Sequence, residues 1–261
     1  MPQDNLHTLI TSLSQLPQVE AVALGGSHTV NMHDALSDYD LYVYTSAEIP
    51  IKIREKITEE SCDYIELNNQ FWETEDDGIL KNGTEIDIIY RSLAWLDQQL
   101  SHIVFNHQAS VGYSSCFWFN LLNSHITFDR EQQLNKLKSK YSIPYPEALT
   151  KNIVAKNAPL LSSSIACYPK QIEKAIKRND RISVNHRVAA YLASYFDVLF
   201  AINKLPHPGE KRMLTYSQAR CSLLPEGMSE DINAILDLAA NNDLNLISLL
   251  KENSEKLLQL A

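Results

Sequence analysis

The chain has 261 residues and a mass of 29.6 kDa, enough for one large domain or two modest ones, each burying its own core. An apolar content of 44% beside a charged content of 21% excludes a disordered chain. The formal net charge of -9, from 23 Lys and Arg against 32 Asp and Glu, argues against broad, nonspecific capture of a nucleic-acid backbone.

Leu6, Leu9, Ile10, Leu13 and Leu16 recur at helical spacing, and Pro17 closes that helix. The opening Met1 to Thr11 is polar and acidic, unlike a secretory leader, and no stretch approaches the roughly 18 apolar residues of a membrane span. A cytoplasmic location is the resulting default. Val19 to Leu24 is a buried strand that delivers the chain into Gly25-Gly26-Ser27. Tyr39 to Tyr44 is a second strand, with Tyr39, Leu41 and Val43 on one face and Asp38, Asp40 and Tyr42 on the other. Cys62 to Leu67 is a weaker strand candidate. Gly83 turns the chain into the strand Glu85 to Tyr90, where Asp87 points away from Ile86 and Ile88. Ser92 caps a helix that carries Leu93, Leu96, Leu100, Ile103 and Val104.

The character of the chain changes near Asp129. Strands alternate with helices before it, and almost everything after it reads as helix, apart from the turn-rich Ser142 to Pro146. Helices are expected over Pro146 to Pro159, Ser162 to Arg178 and Ser183 to Leu205. The last places Val188, Leu192, Tyr195, Phe196 and Leu199 along one face, as the central helix of a bundle would. His207-Pro208-Gly209-Glu210-Lys211-Arg212 interrupts, and further helices follow near Asp231 to Asn241 and Leu244 to Leu257. Two domains are therefore expected, residues 1–128 and 129–261. Cys62, Cys116, Cys167 and Cys221 lie more than 40 residues apart, with neither zinc-site nor redox-pair spacing, and read as reduced structural thiols.

The chemistry concentrates in the block from Gly25 to Asp40. Two glycines after a strand permit a tight turn and close approach of a polyphosphate to backbone N–H groups, and Ser27 adds a hydroxyl. Asp38 and Asp40, one residue apart on an extended strand, project to the same side, where a divalent cation relieves their repulsion. Oxygen ligands of this kind suit Mg²⁺ or Mn²⁺. Asp87 is the natural third carboxylate, because its neighbours Ile86 and Ile88 take the core side. No phosphate loop ending in Gly-Lys-Ser or Gly-Lys-Thr is present, nor is a dinucleotide fingerprint.

Gly25, Gly26 and Ser27, then Asp38 and Asp40, then Asp87 resemble the pattern of the nucleotidyltransferase superfamily related to DNA polymerase beta, which includes small-molecule, antibiotic-type nucleotidyltransferases. The wider chain, including Phe71 to Asp77 and His207 to Arg212, is similar to uncharacterised bacterial proteins carrying that domain before a helical one. The resemblance implies an α+β fold: a polymerase-beta-like core with a mixed sheet, followed by an all-helical C-terminal bundle that binds the acceptor or acts as a lid. It also implies transfer of a nucleoside monophosphate from an NTP, with ATP the expected co-substrate, to a hydroxyl of a small-molecule acceptor. Asp38, Asp40 and Asp87 would be catalytic and metal-binding, and Gly25, Gly26 and Ser27 would hold the nucleotide. Many relatives place a basic residue and a glycine just after the Gly-Ser turn. Here the chain has His28-Thr29-Val30-Asn31-Met32-His33, so phosphate contacts are expected from elsewhere.

Arg187 and Lys211 are the candidates for those contacts. Each has a plainer reading, Arg187 with His186 as an interdomain hydrogen-bonding site and Lys211 with Arg212 as a solvated basic turn. Glu173 and Lys177, four apart on a helix, face a cleft or form a surface ion pair, and the ion pair is favoured. Glu73, Glu75, Asp76 and Asp77 bind a cationic acceptor or form an ordinary exposed loop. Phe117, Trp118 and Phe119 flank a ligand or, by the favoured reading, divide between core and interface. Two other functions stay open: nucleotidylation of a protein or RNA, and a noncatalytic module that senses NTPs or neutralises a toxin.

Overall fold

The computed structural model describes residues 2–25 and 38–261, and the side chains from residue 5 onward within the first stretch. Contacts divide the chain into two compact units, residues 1–100 with 120–143, and residues 101–119 with 144–261. The division is not the single cut expected at 128/129.

The first unit is built on a mixed sheet. Its strands are β1 (Val19–Leu24), β2 (Tyr39–Thr45), β3 (Cys62–Asn69), β4 (Glu75–Leu80), β5 (Glu85–Arg91) and β6 (His125–Asp129). Their order among the described residues is β3-β4-β5-β2-β1-β6. β2 and β5 run parallel, and the other pairs are antiparallel. The first helix, α1 (Pro2–Ser14), and α2 (Ile51–Glu59) belong to this unit. One sheet face carries Val22, Leu41, Val43, Ile86 and Ile88, which bury against Leu6, Leu9 and Leu13 of α1. That is the face the alternation in β2 and β5 assigns to the core.

Two strands, β4 and β6, have no signal in the sequence pattern. β4 begins Glu75-Asp76-Asp77-Gly78, a composition that reads as exposed loop, yet Asp76 is fully buried. Arg54 of α2 makes that burial tolerable: its Nη1 donates to Asp76 Oδ1 at 2.7 Å, and the guanidinium is itself 2% exposed. The Asn68 amide and the Tyr90 hydroxyl donate to the same carboxylate, at 2.7 and 2.8 Å. A buried charge so paired and hydrogen-bonded avoids most of its desolvation cost. Gly78 lets β3 approach, since a Cβ there would lie 2.7 Å from Ile65 Cδ1 and 2.9 Å from the Tyr64 carbonyl oxygen. β6 pairs with β1, Ala23 opposite Ile126, and Arg130 beyond it donates to the carbonyls of Ser14, Leu16 and Val19. These bonds, with α5 (Gln133–Tyr141), keep residues 120–143 in the first unit.

The chain passes between the units within α3 (Leu93–Val104), within α4 (Cys116–Asn123) and at residue 143. The rest of the second unit is helical: α6 (Glu147–Ala158), a π-helical turn at Pro159–Ser163, α7 (Tyr168–Lys177), α8 (Arg181–Ile202), α9 (Met213–Arg220), α10 (Met228–Ala240) and α11 (Asn245–Leu258). The central helix expected from Ser183 is α8, capped by Asp180, whose side chain accepts from the Ser183 amide. Val188, Tyr195, Phe196 and Leu199 are buried on it, within a core completed by Ile172, Ile232 and Leu250. The single helix expected over Ser162 to Arg178 is instead the π-helical turn followed, after a gap, by α7, with Pro169 at the N-terminus of α7. α9 has no counterpart among the helices expected from the sequence.

Residues 101–119 join this unit through a buried polar cluster. Asp197 accepts from the Ser114 amide at 3.0 Å and from its hydroxyl at 2.6 Å, while Asn157 donates to Asp197 and to the Ser110 carbonyl. Asn157 also accepts from the Gly112 amide. Among the described residues no helix is long and apolar enough to cross a membrane.

Candidate active site

The parallel register of β2 and β5 places Asp40 opposite Asp87. Adjacent strands lie about 4.8 Å apart, so both carboxylates rise from neighbouring positions on one face. This is the face opposite the α1 core, because Leu41, Ile86 and Ile88 point the other way. Asp38 sits immediately before β2, two residues from Asp40. On the other side of Asp87, the antiparallel β4 register brings in Asp77, with Glu75 two positions along on the same face.

The electrostatic consequence falls on Asp87. Its carboxyl is pushed up to about 6, first by burial and then by Asp40, Asp77, Asp38 and Glu75. Glu75 is raised as well, by burial and by Asp77 and Glu73. The register therefore aligns Asp77, Asp87 and Asp40 in a row across three strands. Among the described residues no group of three or more His, Cys, Asp or Glu side chains is placed to hold a metal ion. The donors are all carboxylate oxygens, which in chemical kind suit a hard divalent cation.

The floor beside this row is aromatic and cationic. Arg91, four residues beyond Asp87, is held by Glu73, whose carboxylate accepts from Arg91 Nε at 2.7 Å. Its guanidinium lies 4.8 Å from the Tyr42 ring centroid and 5.3 Å from that of Trp95. Tyr42 follows Asp40 on the same face of β2. Its hydroxyl accepts from Asn120 Nδ2 at 2.9 Å.

Gly25 directly follows β1, and its amide donates to the Asp40 carbonyl at 2.9 Å. A Cβ at this position would lie 2.3 Å from Tyr42 Cε2. The requirement for glycine here thus comes from the ring packed on it, and the amide is already engaged by β2. Gly26, Ser27 and the segment His28 to His33 lie outside the described residues.

The other candidates divide between the two units. Arg187, half-buried on α8, and Lys211, exposed before α9, both belong to the second unit. His186 is exposed rather than buried in the apolar side of α8. Glu173 and Lys177 pair on the exposed surface of α7, as the plainer reading expected. The Glu73 to Asp77 segment enters β4 at Glu75 and is not a uniform acidic patch: Glu73 holds Arg91, Asp76 holds Arg54, and Asp77 accepts from Asn69 Nδ2 at 2.6 Å. Trp118 and Phe119 are buried, against Tyr145 and Tyr216 respectively. Sequence reasoning placed Tyr42 on the face of Asp38 and Asp40 without giving it a role, and missed Asp77 and Asn120 as neighbours of the candidate site. Asp77 would have followed from strand alternation had β4 been recognised; Asn120 carries no local signal.

No protein-family model and no curated protein sequence matches the chain. Three solved structures can be aligned over nearly its whole length. A nucleotidyltransferase-like protein from Exiguobacterium sibiricum is 14% identical, covers 99% of this chain and 74% of its own, and gives a TM-score of 0.44. An aminoglycoside 6-adenyltransferase from Bacillus subtilis is 9% identical, covering 100% and 91%, at 0.30. A Thermotoga maritima CCA-adding enzyme, complexed with tRNA, is 13% identical, covering 98% and 80%, at 0.32. Superpositions this loose carry no weight for a common activity.

Proposed function

We propose that the chain is a metal-dependent nucleotidyltransferase that moves a nucleoside monophosphate from an NTP, ATP being the expected one, to a hydroxyl of a small-molecule acceptor. The observation that carries this reading is the β2–β5 register, which sets Asp40 beside Asp87 on the sheet face opposite the α1 core, with Asp38 two residues away. Two strands must pair in that register for a strand motif and a carboxylate 47 positions later to act together, and neither residue is used in the α1 core.

In this reading Asp38, Asp40 and Asp87 would hold Mg²⁺ or Mn²⁺. The ion, when bound, would neutralise phosphate charge and acidify the acceptor hydroxyl. Asp87 takes the proton from that hydroxyl, and the acceptor oxygen forms a bond to the α-phosphorus in line with the leaving group. The bond from the α-phosphorus to the bridging oxygen breaks, and its electron pair leaves with pyrophosphate. The residues contribute chiefly by positioning and by charge, the main resources in phosphoryl transfer.

The test is pyrophosphate release from each NTP with Mg²⁺ or Mn²⁺ across pools of hydroxylated metabolites and antibiotics, with protein and RNA fractions as separate arms. Asp40→Asn is expected to lose transfer by at least about 10²-fold while keeping its circular-dichroism spectrum. Near-normal turnover in Asp40→Asn would sink the assignment, and product confined to the RNA or protein arm would move the acceptor class.

A further inference from the structure

The Tyr42 side chain occupies a position that the proposed chemistry leaves unexplained. Its ring lies against Gly25 so closely that a methyl group there would stand 2.3 Å from Cε2 and 3.2 Å from Cδ2. Arg91 lies 4.8 Å from the ring centroid. The hydroxyl accepts from Asn120, which α4 supplies just before β6 pairs with β1. Gly25 is the last described residue before the chain leaves β1, and its amide donates to the carbonyl of Asp40. One ring therefore touches the exit of β1, belongs to the strand carrying Asp40, and is anchored to α4.

We infer that Tyr42 and Asn120 are positioning residues that pin Gly25 beside Asp40, so that the nucleotide meets Gly25 already fixed next to that strand. The inference rests on the nucleotidyltransferase reading, and it names residues outside the Gly-Ser and Asp-any-Asp pattern. Tyr42 is 7% exposed, so its ring need not touch the nucleotide to affect its binding. Losing the Asn120–Tyr42 bond frees the ring, and Gly25 must then be fixed when ligand binds; that cost appears in affinity. A bond of this kind corresponds to about a three- to tenfold change in an equilibrium constant.

The test uses Tyr42→Phe, which keeps the ring and removes only the hydroxyl, together with Asn120→Leu and the double variant, all in the full chain. Hydrogen exchange at the Gly25 amide, without nucleotide, reports the pin. Binding of a fluorescent ATP analogue with Mg²⁺ reports its consequence. Each single variant is expected to speed Gly25 exchange and to raise the dissociation constant about three- to tenfold, well below the midpoint of thermal unfolding. The double variant is expected to go no further, because both changes delete one interaction. Unchanged Gly25 exchange, unchanged affinity with faster exchange, or additive effects in the double variant would each overturn the inference. If the unaltered protein binds no Mg-nucleotide while the variants still loosen Gly25, the nucleotidyltransferase reading fails, the nucleotide role of the pair fails with it, and only the pin stands.

Discussion

Replacing Arg54 tests whether the buried charge of Asp76 is what makes β4 a strand. Both side chains are essentially inaccessible, at 2% and 0% exposure, and their ion pair is 2.7 Å long. Arg54→Met leaves Asp76 with hydrogen bonds from the Asn68 amide and the Tyr90 hydroxyl but without a counter-charge. Breaking one side of a buried pair costs about 3–5 kcal/mol, because the remaining ion stays desolvated. Asp76→Asn strands the guanidinium in the same way, although Arg54 Nη2 keeps its bond to Asn68 Oδ1 at 3.1 Å and the cation still lies 4.9 Å from the Tyr90 ring centroid. Its cost should fall toward the lower end of that range.

The double variant carries neither charge, and the asparagine that replaces Asp76 would still accept from the Asn68 amide through Oδ1, while its Nδ2 would donate to the Tyr90 hydroxyl. Its loss should be smaller than that of Arg54→Met alone, giving a coupling of at least about 2 kcal/mol in a double-mutant cycle. Urea unfolding followed by circular dichroism and tryptophan emission measures each term, with Trp72 and Trp95 reporting from the first unit. Single-variant losses under about 1 kcal/mol, or a double variant equal to the sum of the singles, would refute the reasoning. The pair would then be incidental, and the strand held by β3 and β5 alone. Because Asp76 points inward, Asp77 points to the face of Asp87. Arg54→Met should therefore also disturb that carboxylate row without touching it.

The second unit contains two buried titratable groups with opposite pH signatures. Burial raises the Asp197 carboxyl to about 6, so the native state holds that proton more tightly than the unfolded chain. That contribution is complete below about pH 4 and is lost as pH rises through about 6; Asp197→Asn should therefore gain about 2–3 kcal/mol relative to the unaltered protein between pH 4 and 7, read by denaturant titration. His207 behaves oppositely: burial lowers it to about 3, so its neutral form is favoured in the native state and stability is lost as pH falls from about 6.5 toward 3. His207→Gln should flatten that acid limb, and an unchanged slope would contradict the assignment. Glu173→Gln, at the exposed pair with Lys177, should leave the thermal midpoint and nucleotide binding unaltered; a loss of binding would restore its discarded role in a cleft.

What could be read from the sequence was local, and what escaped depended on distant partners. The strands β1, β2 and β5 announce themselves because apolar alternation is written within each segment, as Leu41 and Val43 or Ile86 and Ile88 show. β4 does not, because its acidic composition becomes compatible with burial only through Arg54, 22 residues upstream. The membership of residues 101–119 in the helical unit was equally hidden, since Ser114 is held by Asp197, 83 residues away. Within the candidate site, the spacing of Asp38 and Asp40 and the outward phase of Asp87 were local facts, and the strand register brought Asp40 and Asp87 together. Gly25 differs in kind. As a letter after a strand it suggested backbone open to phosphate, whereas its amide is engaged by Asp40 and its missing Cβ makes room for Tyr42. A glycine after a strand can thus be required by the packing behind it, and no count of residues from Gly25 to Asp38 reveals which ring stands there.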